Sequence, residues 1–272
     1  MKFSVLMSVY QKDSPEFLKL ALESIYDRQT RKPDEVVVVF DGPLTDELHA
    51  VLDEFRQGKE QVVFYYPQPE NKGLGEALRI GTAFCSGDYI LRMDSDDVSQ
   101  ERRFEIQCAY VESHPEIDVL GGNIAEFNAS PSEAMRIRAC PGSHDEIVTM
   151  GKRRNPMNHV TACIKRTALE ACGGYETLLL VEDYYLWLKM IAAGCRLANL
   201  NETLAFVRVG NGFYSRRSSK TQIKGWKTLQ SFMVKHGMIG KLDAVVNMIC
   251  IVGFTYCPDW VRKFVYAKVL RR

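Results

Sequence analysis

The sequence predicts an α/β fold in which a mostly parallel sheet is flanked by helices. Nearly continuous apolar runs at 2–9 and 35–40 are typical of central strands that are covered on both faces. A segment with helical spacing at 15–25 lies between them, so strands and helices alternate along the chain. This alternation predicts a doubly wound, Rossmann-like sheet, in which ligands bind beyond the carboxyl ends of the strands.

The remaining elements follow from the same signals. Pro15 suits the first turn of the first helix, and apolar residues then recur on one side of that helix. Glycines at 173 and 174 end a short helix. The further predicted elements are a helix at 45–55, a strand at 61–66, a helix at 76–85, a strand at 89–93, a helix at 99–113, strands at 118–128 and 136–140, and a helix that begins at 182.

The charge distribution divides the chain of 272 residues into two regions. Residues 218–272 hold 10 basic and 2 acidic residues, whereas 1–217 hold 25 basic and 32 acidic residues. We therefore predict an α/β domain at 1–217 and a basic helical region at 218–272. Basic residues with aromatic ones are typical of docking on an anionic membrane surface. Nucleic acid is the rival anion, but no recognition motif for it is present.

Cysteine usage and the amino terminus predict a cytoplasmic location. The eight cysteines include no CxxC or zinc spacing, so we expect buried thiols in a reducing compartment. Met1 opens directly into the first predicted strand, so no signal peptide is expected. The longest apolar run, at 244–257, is 14 residues long and too short to span a bilayer.

An acidic turn follows the predicted strand at 89–93, where the chain reads Asp-Ser-Asp-Asp at 94–97. Alternate side chains of an extended chain share a face, so Asp94 and Asp96 should point the same way. Carboxylates ~4 Å apart repel by about 4 kcal/mol at an effective dielectric near 20, which favours a cation between them. Oxygen ligands suit Mg²⁺ or Mn²⁺, and a phosphate is their natural partner. The alternative is a solvated turn that caps the next helix, with Ser99 as N-cap.

Two other segments lie where a ligand could bind. Asp41 follows the second strand and could accept hydrogen bonds from a base or a ribose hydroxyl, while Gly42 lets the backbone turn beneath the ligand. An ordinary turn is the alternative interpretation. The glycine pair at 73 and 75 lacks the third glycine of a dinucleotide fingerprint. It could place backbone N–H groups or Lys72 near a phosphate, or only begin a tightly packed helix.

The order of these motifs resembles a known family. The segments are SVLMSVY at 4–10, the Asp after the second strand, NKGLGEALRIG at 71–81 and SGDYILRMDSDD at 86–97. Together they resemble the family 2 glycosyltransferases of the GT-A fold. Later segments at 155–159, 173–175, 181–187 and 207–217 extend the resemblance to bacterial enzymes that build capsule, exopolysaccharide or lipopolysaccharide O-antigen units.

The resemblance implies roles for residues at the strand ends. Asp41 would contact the nucleotide base, Asp94 the ribose or the metal, and Asp96 the metal that bridges the diphosphate. Tyr10, which ends the first motif, and Lys72 are assigned to the donor as well. The turn after Asp41 departs from its relatives, which more often have a Ser- or Asp-rich sequence there, and this leaves the identity of the base open.

An acidic pair, Glu182 and Asp183, stands at the start of an apolar helix. One interpretation is an acidic helix start that the dipole stabilises by ~1 kcal/mol. The other is a general base for a sugar hydroxyl, which the helix N-terminus keeps ionised. In the resembling family this pair supplies the catalytic base, most often from its second member, so we predict Asp183 as the base with Glu182 in the site.

Four further residues have two interpretations each. His159, in the polar segment 153–161, either bonds the acceptor or donor sugar or pins its loop. Trp187 either lines the sugar pocket or packs in the core. Arg216 and Arg217, which follow a glycine-rich stretch, either close over the donor diphosphate as a cationic lid or are solvated charges. Arg102 and Arg103 are interpreted as solvated charges on a helix.

The sequence thus predicts an inverting, metal-dependent glycosyltransferase. It would move a sugar from a nucleoside-diphosphate sugar, with UDP favoured, to a hydroxyl of a polyprenyl-diphosphate-linked saccharide at the cytoplasmic face of the inner membrane. A sugar-phosphate nucleotidyltransferase is one rival, although residues 8–12 lack its glycine- and arginine-rich loop. A non-catalytic nucleotide-sugar-binding protein is another, and it would tolerate Asp183→Ala.

Overall fold

The computed structural model describes residues 1–178, 180–209 and 220–257. Within these residues one sheet contains nine strands. The strands are β1 (Phe3–Val9), β2 (Glu35–Phe40), β3 (Val63–Pro67), β4 (Tyr89–Met93), β5 (Val98–Ser99), β6 (Val119–Phe127), β7 (Arg136–Arg138), β8 (Cys163–Lys165) and β9 (Leu197–Arg208). The helices are α1 (Pro15–Ile25), α2 (Asp46–Arg56), α3 (Leu74–Phe84), α4 (Arg103–Ser113), α5 (His144–Gly151), α6 (Arg166–Ala171), α7 (Glu182–Ala192), α8 (Lys220–Lys235) and α9 (Lys241–Tyr256).

The sheet places the ends of its parallel strands along one edge. The strand order is β3-β2-β1-β4-β8-β6-β9-β5, with β7 paired to β6. The first four strands are parallel, whereas β8 joins β4 and β6 in antiparallel fashion. Val9 aligns with Phe40, and Met7 aligns with Met93. The residues that follow β1, β2 and β4 therefore lie at the same edge, and the predicted fold class is confirmed.

The central strands bury both of their faces. Val5 and Met7 of β1 belong to one buried cluster, which α1, α2 and α4 cover. Leu6, between them, belongs to a second cluster, which contains residues of α3 and α7. Since successive side chains of a strand point to opposite faces, this division explains why the strand sequences are continuously apolar.

Two expectations for the segment after the acidic turn are wrong. Ser99 is not an N-cap, because it lies in β5, pairs with Ala205 and accepts a hydrogen bond from the Gln29 side chain at 3.2 Å. Arg103 is not a solvated charge, since it is completely buried. Its guanidinium donates to Gln107 at 2.9 Å and to a main-chain carbonyl at 2.8 Å, and burial lowers its pKa to about 10. These bonds offset the cost of removing the cation from water.

The carboxyl-terminal helices pack on the domain that precedes them. Leu229 and Met233 of α8 form a buried cluster with Tyr184 and Leu188 of α7. Helix α9, in contrast, exposes apolar side chains. These are Leu242, Val245, Val246, Ile249, Val252 and Tyr256. Among the described residues, no helix is long and apolar enough to cross a bilayer. The division of the chain at 217 stays a prediction.

The cysteines match the expectation of reduced thiols in part. All eight lie in the described residues and are free. Seven are buried or half-buried, whereas Cys250 is exposed on α9.

Candidate active site

The three carboxylates of the acidic turn after β4 differ in their exposure and in their hydrogen-bond partners. Asp94 is half-buried, and both of its oxygens bond the guanidinium of Arg92. Asp97 is buried and accepts a hydrogen bond from the main-chain N–H of Arg208 at 2.8 Å. Asp96 has an exposed side chain. Of the three carboxylates, Asp96 is therefore the one that a ligand from solvent can reach most directly.

A fourth carboxylate ties this turn to the end of β1. Asp13 accepts hydrogen bonds from the Ser95 hydroxyl at 2.7 Å and from the main-chain N–H of Tyr10 at 3.0 Å. Tyr10 itself is 36% exposed at the same edge of the sheet. The pKa of Asp13 is raised to about 6, mainly by burial; the charges of Asp96 and Asp94 contribute to the rise, and those hydrogen bonds oppose it.

The turn fits a divalent cation in its donor chemistry. Burial raises the pKa of Asp97, and the negative charges of Asp94 and Asp96 add to this effect. A cation stabilises carboxylates that repel one another, and carboxylate oxygens are hard ligands suited to Mg²⁺ or Mn²⁺. In the described part of the chain, no group of three or more His, Cys, Asp or Glu side chains could hold a metal ion. A bound ion would therefore need ligands beyond the His, Cys, Asp and Glu side chains of the described residues.

Arg92 is the central cation of the site, and our sequence analysis missed it. Its side chain is only 3% exposed and lies within β4. Besides pairing with Asp94, its positive charge acts to lower the pKa values of Glu182 and Asp183, which come from α7. The signal was present, because a charged residue inside an apolar strand is rarely buried without a partner.

The acidic pair lies at the first turn of α7, after Leu180 with a φ of 71°. Asp183 is held on both oxygens, since Oδ1 accepts from the Tyr184 N–H at 2.7 Å and Oδ2 from the Asn155 amide at 2.6 Å. Burial nevertheless raises its pKa. Glu182 differs, because its Oε2 is buried and has no hydrogen-bond partner. Burial and the Asp183 charge raise the pKa of Glu182 to about 7.

Asp41 organises the loop that precedes α3. Its carboxylate accepts hydrogen bonds from the main-chain N–H groups of Lys72 and Gly73 at 2.8 and 3.0 Å. Gly42 has a φ of 88°, and a Cβ there would lie 2.7 Å from the main-chain nitrogen of Asn71. The turn at Asp41 and Gly42 and the loop at 71–73 therefore form one unit. The Lys72 side chain pairs with Glu70 at 3.0 Å on the surface.

His159 and Trp187 contact each other through their rings. Trp187 is completely buried, with its ring centroid 5.9 Å from that of His159. The His159 Nε2 lies 2.9 Å from the hydroxyl of Tyr175, and burial lowers the pKa of His159 well below its usual value. A neutral His159 that bonds Tyr175 and packs against Trp187 favours the structural interpretation for both residues.

A further arginine lies beside the acidic turn. The guanidinium of Arg208 lies over the rings of Phe17 and Phe127, at 3.7 and 4.5 Å from their centroids. Its Nε donates to the main-chain oxygen of Asp96 at 3.3 Å. Arg208 thus fixes the turn between β4 and β5. The predicted lid residues Arg216 and Arg217 lie outside the described residues.

Curated relatives match the full length of the chain. An uncharacterized glycosyltransferase of Haemophilus influenzae is 41% identical over 272 residues, which cover all of both chains. A UDP-Gal:alpha-D-GlcNAc-diphosphoundecaprenol beta-1,3-galactosyltransferase of Escherichia coli is 34% identical, with 100% of this chain and 97% of that protein covered. The amylovoran biosynthesis glycosyltransferase AmsE of Erwinia amylovora is also 34% identical, with 98% of each covered.

Solved structures share the fold at low identity. S. aureus TarS 1–349 in complex with UDP-GlcNAc superimposes with a TM-score of 0.69 at 18% identity, covering 99% of this chain and 76% of that chain. The mannosyltransferase PcManGT of Pyrobaculum calidifontis, in complex with GDP-Man and Mn²⁺, gives a TM-score of 0.64 at 13% identity and covers 99% and 79% of the two chains. The glycosyl transferase family 2 model matches residues 4–173. The chain therefore belongs to glycosyl transferase family 2 and is a glycosyltransferase of the GT-A fold.

Proposed function

We propose that this glycosyltransferase moves a sugar from a UDP-sugar to a hydroxyl of a lipid-diphosphate-linked saccharide, with inversion at the anomeric carbon. The observation that carries the proposal is the convergence of two acidic motifs on one buried cation. Arg92 pairs with Asp94 of the acidic turn, and its charge also acts on Glu182 and Asp183. In this proposal one guanidinium serves both the carboxylates at the donor and the pair that transfers the proton.

The donor binds at the carboxyl edge of β1, β2 and β4 in this proposal. Asp41 and the loop that it organises meet the nucleoside, and Tyr10 lies at the same edge. Asp96, with Asp94 beside it, would hold Mg²⁺ or Mn²⁺, which neutralises the donor diphosphate when bound. The fold neighbours solved with UDP-GlcNAc and with GDP-Man plus Mn²⁺ support this arrangement.

Asp183 is proposed as the general base. It removes the proton from the acceptor hydroxyl as that oxygen attacks the anomeric carbon and the bond to the donor diphosphate breaks. The Asn155 amide, 2.6 Å from Oδ2, and the Tyr184 N–H fix the carboxylate and favour its ionised form. Glu182 is the neighbouring residue in the sequence and the alternative base, since its pKa of about 7 lies near neutral pH.

The acceptor is proposed to be lipid-linked and the enzyme to work at the cytoplasmic face of a membrane. The E. coli relative is named for an acceptor of this kind. Helix α9 exposes apolar side chains, and lysines lie nearby at 227, 235 and 241. Exposed apolar area with basic residues binds anionic interfaces. Sedimentation with lipid vesicles tests the membrane association. Stronger binding to anionic than to neutral vesicles would support it, and binding to neither would contradict it.

Substitution of the base tests the reaction. Asp183→Asn should lower kcat by about 10²- to 10⁴-fold, the usual contribution of a general base, while UDP-sugar affinity stays within about twofold. Thermal shift with a panel of UDP-sugars, with and without Mn²⁺, measures binding and identifies the donor. Asp46→Asn is the matched control, because Asp46 is an exposed aspartate in the first turn of α2.

The outcomes separate the alternatives. Loss of turnover in Glu182→Gln, with activity kept in Asp183→Asn, would assign the base to Glu182. Full activity in both variants would contradict an acid–base role for the pair. A protein that binds a nucleotide sugar but transfers nothing to any saccharide would contradict the proposed reaction.

A further inference from the structure

A cavity of about 460 Å³ lies on the side of α7 where Asn155 bonds Asp183. Its walls come from β6, from β7 with the residues that follow it, and from the end of α5 with the segment after it. The volume is within the range of small-molecule sites. None of the described residues assigned to the donor lines this cavity, and Asn155 connects it to the proposed base.

Arginines dominate the charge of this cavity. Arg136 and Arg138 alternate along β7 and therefore share a face of that strand, and Arg154 comes from the segment after α5. Glu126 of β6, which pairs in register with Arg136, is the one carboxylate that the described residues contribute to the lining. Three guanidinium groups and one carboxylate give the lining more positive than negative charge, which suits an anionic ligand such as a diphosphate.

The cavity connects with the proposed base through two residues. Asn155 lines the cavity and also donates to Oδ2 of Asp183 at 2.6 Å. Arg138 lines it as well, and its charge acts to lower the pKa of Asp183. A molecule held by the arginines would thus lie next to the carboxylate that takes the acceptor proton.

We propose that this arginine-lined cavity binds the diphosphate of the acceptor. The proposal rests on the proposed function and names the part of the acceptor that the enzyme recognises. In a diphosphate-linked monosaccharide, one sugar ring separates the diphosphate from the hydroxyl that reacts. The cavity lies beside the base, which matches this short separation. Guanidinium groups bind phosphate oxygens through paired hydrogen bonds, so a second diphosphate, distinct from that of the donor at Asp96, has suitable partners here.

Acceptors with and without phosphate test the proposal on the wild-type enzyme. The pair is N-acetylglucosamine α-linked to a short alkyl diphosphate and the same sugar as its alkyl α-glycoside, each with the UDP-sugar that the enzyme uses. We expect kcat/KM to be at least tenfold higher for the diphosphate, the ratio that one or more charge-assisted hydrogen bonds provide. Equal use of both acceptors would overturn the subsite. Transfer to neither, and to no other sugar linked to the same alkyl diphosphate, would overturn the proposed function and, with it, this proposal.

Variants then assign the preference to the cavity. Arg154→Gln and Arg136→Gln should each reduce the ratio of kcat/KM between the two acceptors by roughly tenfold and leave the KM for the donor within twofold. Arg153→Gln is the matched control, since Arg153 adjoins Arg154 but is exposed and does not line the cavity. An unchanged ratio in both cavity variants, or an increase in donor KM alone, would overturn the assignment. Unfolding temperatures show which variants are folded.

Discussion

Replacement of Glu182 by Gln should stabilise the protein above neutral pH. The Glu182 Oε2 is buried without a hydrogen-bond partner, and Asp183 adds a negative charge beside it. Burial is the larger cause of the raised pKa, from 4.5 to about 7. The folded chain therefore binds the Glu182 proton more tightly than the unfolded chain does.

The size of the effect follows from proton linkage. Because the folded pKa is the higher one, the stabilisation from protonated Glu182 is fully present below pH 4.5 and is lost as the pH rises through 7. A tenfold difference in proton affinity is worth about 1.4 kcal/mol. Glutamine does not titrate. The gain in free energy of unfolding on Glu182→Gln should consequently be larger at pH 8 than at pH 5, by about 2 kcal/mol.

Urea unfolding at pH 5 and pH 8 measures this difference, and it requires neither donor nor acceptor. Glu202→Gln is the control, because Glu202 is an exposed glutamate on β9. This substitution should change the free energy of unfolding equally at pH 5 and pH 8. If the effect of Glu182→Gln is independent of pH, or is larger at pH 5, then Glu182 is not a buried carboxylate that ionises at a cost. The description of the Glu182 Oε2 as buried without a hydrogen-bond partner would then be wrong.

Two further predictions concern the scaffold of the site, and urea unfolding checks both. Gly42→Ala should lower the free energy of unfolding by about 2 kcal/mol or more, because φ is 88° and the new Cβ would clash with Asn71. Gly58→Ala is the control: φ is 70° but the space around it is open, so the free energy of unfolding should fall by only about 1 kcal/mol. Arg103→Ala should lower the free energy of unfolding by about 3 kcal/mol, since it leaves a void and two buried acceptors without their donor. Arg102→Ala removes only an exposed ion pair and should lower it by less than about 1 kcal/mol. Equal losses of unfolding free energy in the two glycine variants, or in the two arginine variants, would contradict the packing described.

The sequence determined the fold and the family without further help. Continuous apolar strands such as β1 and β2, separated by amphipathic helices, allow few arrangements other than a parallel sheet with both faces covered. Residues that directly follow such strands must lie at their carboxyl edge, so the places of Asp41 and Asp94 could be read from the chain alone. The roles assigned to these residues stay predictions.

Only the tertiary structure decided which charges meet. Arg92 and Asp94 are near neighbours in sequence, yet the sequence does not show that Arg92 is buried and that its guanidinium pairs with Asp94. The hydrogen bond from Asn155 to Asp183 joins residues 28 positions apart. Composition and periodicity report local conformation, whereas burial and partner choice depend on contacts between distant segments, and these set the pKa values and the cavity beside the base.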